Sequence, residues 1–85
     1  MLMRDVSIAV LDEDKSAMSR QIIEKFTASE YFSFYGSVFS PKEAVKMLDK
    51  GEIDFFLQID NNFSRKIRKG LTAEIQVIVD GTDSS

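Results

Sequence analysis

Apolar residues in this chain fall into two spacings, and the spacing changes six times. Asp5 to Leu11 (DVSIAVL) and Ile53 to Ile59 (IDFFLQI) are nearly unbroken apolar runs. Such runs predict strands covered on both faces. Phe32 to Phe39 (FSFYGSVF) and Ala73 to Asp80 (AEIQVIVD) alternate apolar with small or polar residues, the pattern of half-exposed edge strands. Between these segments the period lengthens. After DEDK, Ser16 is a good N-cap for a helix from about Ala17 to Ser29, with Met18, Ile22, Ile23 and Phe26 on one face. Ser40, Pro41 and Glu43 spell a capping box with proline at the first helical position. That helix continues through Ala44, Val45 and Leu48 and stops at Gly51, a left-handed C-terminal signal. Asp60, Asn61 and Asn62 turn the chain, and Asn62 is placed to cap a short helix over Phe63 to Lys69, with Phe63 and Ile67 on one face and Gly70 at its end.

The resulting order is β-α-β-α-β-α-β, an α/β fold with one small four-stranded sheet in a single domain. Continuous runs belong inside the sheet and alternating ones outside, which gives the strand order 2-1-3-4. Right-handed crossovers from the first strand to the second, and from the second to the third, place helices on both faces. The third connection is short, and the direction of the fourth strand stays open.

Composition narrows the chemistry. The chain has 85 residues, net charge −3, and neither histidine nor cysteine. Disulfides, thiolate catalysis, zinc–thiolate sites and histidine-based general bases are excluded. The acidic balance, with a sequence pI near 4.8, argues against nucleic acid as a partner. No run approaches the roughly 20 apolar residues of a membrane span, and MLMRDVS lacks the apolar core of a signal peptide.

Three clusters remain as candidates. Asp12, Glu13 and Asp14 follow the first strand, Asp60 the third and Asp80 the fourth. The first and third strands meet at the topological switch point, where ligands of open α/β sheets sit. Clustered carboxylates there suit Mg²⁺ or Ca²⁺, and acidic residues at such turns also serve simply as caps. This part of the chain, IAVLDED with the later IDFFLQID, resembles a response-regulator receiver domain. That resemblance implies Asp12 and Asp14 as a metal pair and Asp60 as phospho-acceptor. Against it stand the short third helix and the lack of a fifth strand bearing a lysine. The second cluster is basic, Arg65, Lys66, Arg68 and Lys69, suited to a helix C-terminus or to lipid head groups or an acidic partner. The third is aromatic: Tyr31, Phe32, Phe34, Tyr35 and Phe39 around the second strand, a candidate interaction surface.

A broader resemblance covers Ile8 to Ser85. AVLDEDKSAMSRQI, the central block GSVFSPKEAVKMLDKGEIDFFLQIDNNFSRKIRKG and the closing AEIQVIVDGTDSS resemble, in order, the extracytoplasmic domain of ABC-2-type transporter permeases. The family often has proline after the position of Ser16, a Pro-Asp type turn where Asp60 to Asn62 stand, and Asn in place of Ser85. The resemblance implies a non-enzymatic, extracytoplasmic module of an inner-membrane efflux permease that mediates partner or substrate contact during ATP-driven efflux, lying between two transmembrane helices, with Asp80, Gly81, Thr82 and Asp83 forming the turn back to the membrane. On this reading GTDSS is a cut rather than an end. It implies no cofactor in this domain, since ATP is used by a separate cytoplasmic ATPase subunit. The implied partners are the permease's own transmembrane helices, a permease dimer mate, that ATPase and a periplasmic adaptor protein. The expected contact surface is Asp12, Asp14, Phe34, Tyr35 and Phe39. A truncated receiver domain phosphorylated on Asp60 is the alternative.

Overall fold

The computed structural model describes residues 6–79. Seven elements follow in the predicted order: β1 (Val6–Asp12), α1 (Ala17–Thr27), β2 (Phe32–Ser37), α2 (Pro41–Asp49), β3 (Phe55–Ile59), α3 (Phe63–Arg68) and β4 (Ile75–Val79). The sheet order is β2-β1-β3-β4. β1 is parallel to both β2 and β3, while β4 is antiparallel to β3. The direction left open by the sequence is therefore antiparallel. α3, at six residues, covers only about 9 Å of travel, and the loop after it returns the chain beside Ile59, where it left β3.

The two-sided burial of β1 comes from two different helical layers. Ile8, Ala9, Val10 and Leu11 are all buried. Ala9 and Leu11 point to one face, where they pack with Ala44 and Leu48 of α2, with Val38 and Ile53, and with Phe56 of β3. On the opposite face Phe26 of α1 lies against Phe32 of β2, ring centroids 6.1 Å apart, and Phe32 meets Phe55 of β3 edge-on at 5.9 Å. In this register Phe55 sits beside Ile8, and Leu57 beside Val10. Helices thus cover both faces, with α1 and α3 on one and α2 on the other.

Local chemistry ends the helices as the glycines indicate. Gly51 and Gly70 both have φ of 75°. The N–H of Gly51 donates to the Leu48 carbonyl and that of Glu52 to the Met47 carbonyl; Gly70 and Leu71 repeat the arrangement on Ile67 and Lys66. These are Schellman closures, which need the left-handed residue glycine supplies.

Five local expectations change. Ser40 Oγ accepts the Glu43 N–H at 3.1 Å, but Glu43 Oε1 accepts the N–H of Phe39, one residue outside the cap, rather than that of Ser40. Asn62 makes no side-chain capping bond; the first turn of α3 is held instead by the Ser64 N–H donating to Asp14 Oδ2, after a turn in which the Phe63 N–H donates to the Asp60 carbonyl. α1 stops at Thr27 and β3 begins at Phe55, so the segments 28–29 and 53–54 are connections. The alternation in β4 does not translate into a covered face, because Val77 and Val79 are 55% and 58% exposed. α3 is too short to roof them.

Candidate functional site

The carboxyl end of β1 is built around one aspartate. Asp12 Oδ1 accepts the backbone N–H groups of Asp14 and Lys15, each at 3.0 Å, and Oδ2 accepts the Ser19 hydroxyl at 2.7 Å. Such side-chain-to-backbone bonds are why Asp closes tight turns. They hold Lys15 at φ 53°, a left-handed conformation that a non-glycine residue adopts only when its surroundings fix it. The turn then passes into α1 through a reciprocal cap. Ser16 Oγ accepts the Ser19 N–H, and Ser19 Oγ accepts the Ser16 N–H, both at 3.0 Å.

Asp14 ties this turn to α3. Its Oδ2 accepts the Ser16 hydroxyl at 2.5 Å and the N–H of Ser64 at 3.3 Å. The Ser16 hydroxyl, then the Ser64 bonds and the nearby positive charge of Arg68, hold the Asp14 carboxyl below its ordinary value, while partial burial works in the other direction. Ser19 and Ser64 are buried, so the Asp12–Ser19–Ser16–Asp14–Ser64 chain is a fixed polar joint between β1, α1 and α3. Buried polar groups that find all their partners rigidify a structure.

Of the first candidate cluster, Asp80 lies outside the described residues. The carboxylates of Asp12 and Asp14 are occupied as turn and cap acceptors. Asp60 is exposed and borders a separate depression with Asn62, Phe63, Lys66, Thr72, Ala73 and Glu74. Among the described residues no group of three or more acidic side chains is placed to hold a metal ion. Nothing in this arrangement supports the receiver reading.

The proposed contact residues divide among three places. Phe39, 80% exposed, stands over the β1 carboxyl end between two hollows. One is lined in part by Leu11, Asp12, Glu13 and Asn61, the other by Lys15, Arg20 and Ser37. At about 280 and 240 Å³ they fall below the roughly 300 Å³ at which small-molecule pockets begin; they suit a protein contact better than a bound ligand. Phe39 and Asp12 are thus brought together, with Asp14 two residues along the same turn. Phe34 pairs with Ile8 on the α1 side of the sheet and is 45% exposed. Tyr35 is the extra residue at a register shift in β2, and borders a groove with Met47, Lys46 and Lys50 of α2. The turn Asp80, Gly81, Thr82 and Asp83 lies outside the described residues.

Three contributors escaped the sequence. Ser19 had a signal: a serine three positions after the Ser16 cap can reciprocate its bond. Ser64 had none, being 50 positions from Asp14. Asp54 was also missed. Its Oδ2 accepts the Ser7 N–H at 2.8 Å, and its own N–H donates to the Ser7 carbonyl at 2.7 Å, which pins the start of the β1–β3 ladder.

Comparison with known proteins bears on this architecture. Over 81 residues the chain is 28% identical to "Probable multidrug ABC transporter permease YbhR" of Escherichia coli K12, covering 95% of this chain and 22% of that protein. It is 34% identical over 84 residues to "Inner membrane transport permease YhhJ" of the same organism, covering 92% of this chain and 20% of that one. The chain therefore spans about a fifth of the length of these curated relatives. Among solved structures, a domain assigned to the ABC type-2 transporters from Thermotoga maritima MSB8 superposes with a TM-score of 0.72 at 16% identity, covering 86% of this chain and 49% of that one. Such a likeness shows a shared fold. The family model described as ABC-2 family transporter protein matches residues 2–85, and the chain belongs to that family.

Proposed function

We propose that this chain is the extracytoplasmic module of an ABC-type exporter permease, set between two transmembrane helices and acting by contact rather than catalysis. The observation that carries the reading is where the strands begin and end. Ile8, Phe55 and Val79 lie side by side across β1, β3 and β4. β1 therefore enters and β4 leaves at the same end of the sheet, two strand spacings or about 10 Å apart. An inserted domain needs its entry and exit close together on one side. The opposite end carries Phe39 and the Asp12 turn, so a domain standing on its two ends presents that surface away from the bilayer.

Family membership supports the transport context, and both curated relatives are named as permeases. The absence of histidine and cysteine from the chain and the small size of the two hollows beside Phe39 support a contact role there. On this reading ATP is used by a separate cytoplasmic subunit. The domain's partners are the permease dimer mate and a periplasmic adaptor protein, met through Phe39 and the Asp12–Asp14 turn.

Sidedness is directly testable. With Phe39→Cys in the full permease, a membrane-impermeant maleimide is expected to label this domain from outside intact spheroplasts. Labelling confined to inside-out vesicles would overturn the proposal.

A further inference from the structure

Phe39 stands between two hollows of opposite charge. Around one, Lys15 and Arg20 face a single carboxylate, that of Asp12. Around the other, Asp12 and Glu13 outnumber Lys15. The Asp12 carboxylate already accepts three hydrogen bonds from its own turn and from Ser19. Among the described residues neither the Lys15 ammonium nor the Arg20 guanidinium forms an ion pair. The charge left for a partner on the β2 side of Phe39 is therefore positive, although the turn itself reads as acidic.

Two backbone features fix these side chains in place. The Lys15 N–H donates to Asp12 Oδ1 at 3.0 Å, and Lys15 keeps the left-handed φ of 53° that glycine adopts more readily. A left-handed residue with a side chain is worth reading as functional when it borders a candidate site. The Phe39 N–H donates to Glu43 Oε1 at 3.0 Å. Phe39 is the most exposed large apolar residue among the described residues, and it is presented from a pinned backbone. Aromatic and arginine side chains are the usual anchors of protein contacts.

Resting on the reading of Phe39 as a contact surface, we propose that Lys15, Arg20 and Phe39 form one recognition site for an acidic segment of a partner protein. A carboxylate of that segment enters the hollow between the two cations, and a neighbouring apolar side chain covers the Phe39 ring. Charge complementarity selects the carboxylate, since the two cations are donors without a partner of their own. The ring selects a peptide over a free anion, which would leave the aromatic surface in water. Glu13, across the ring, repels a second carboxylate on that side and so sets which way the segment lies.

The site is tested on the 85-residue chain with two blocked pentapeptides, one with glutamate between leucines and one with glutamine in its place. In nitrogen-15 NMR titrations at low salt, the glutamate peptide is expected to shift the amides of Lys15, Arg20 and Phe39. It is expected to bind about fivefold more tightly than the glutamine peptide. Lys15→Gln combined with Arg20→Gln is expected to reduce its affinity to that of the glutamine peptide. Lys15→Gly, which removes the side chain and relaxes the backbone, is expected to weaken binding without lowering the melting temperature. Equal affinity for the two peptides, shifts centred on Arg65 to Lys69 of α3, no shift at Phe39, or undiminished binding by Lys15→Gly would overturn the proposal. Sidedness in the membrane does not enter the titration, so its failure and a failure of the maleimide experiment are read separately.

Discussion

Asp12 and Asp14 show how a residue that looks like chemistry can turn out to be architecture. Asp12 accepts three hydrogen bonds from its own turn and helix. Asp12→Ala removes acceptors from the Lys15 and Ser19 groups at once, and is expected to lower stability by roughly 1–3 kcal/mol; a urea melt would read it. Asp14 yields a prediction with a sign. Its carboxyl is held below the ordinary 3.8, first by the Ser16 hydroxyl. The stabilisation is therefore fully present above pH 3.8 and is lost as the pH falls through the lower folded value. A carbon-13 carboxyl titration should give Asp14 a midpoint below 3.8; a midpoint at or above it would remove the Asp14 link between α1 and α3 from the account. Both aspartates were legible in the sequence as turn residues. Their roles depended on Ser19, signalled only by its spacing from Ser16, and on Ser64, which carries no signal in the sequence.

At the scale of elements, what is local was legible and what depends on distant packing was not. The caps and stops of α2 are written in adjacent residues, and Ser40, Pro41 and Gly51 act as their spacing indicates. Ser40→Ala is expected to cost about 1 kcal/mol in thermal or denaturant unfolding. At Gly70, φ is 75° and an added Cβ would meet nothing within 4 Å. Gly70→Ala should therefore destabilise through backbone conformation alone, by roughly 1–2 kcal/mol; an unchanged melting curve would argue against that closure. Asn62 resembled a cap and is not one; the Ser64 N–H at the second position of α3 goes instead to the Asp14 carboxylate, 50 positions away. β4 shows the same limit. Its alternation identifies a strand, but whether its apolar side is covered depends on the length of α3, which local pattern does not encode.

Across the whole molecule, the strand order followed from a simple inequality: continuous apolar runs need two covers, alternating runs need one. β1 and β3 obey it, with Phe56 and Leu57 of β3 buried on opposite faces. Phe56→Ala is expected to destabilise by about 3–5 kcal/mol, enough to threaten a fold of this size. The same topology brings the start of β1 and the end of β4 to one end of the sheet and sets Phe39 at the other. The proposed role depends on that polarity. It is tested most directly in the full permease reconstituted in liposomes, with a fluorophore placed in turn at Val79 and at Phe39, and a quencher fixed at the depth of the lipid head groups. The account predicts strong quenching at Val79 and little at Phe39; equal quenching at the two positions, or stronger quenching at Phe39, would contradict it.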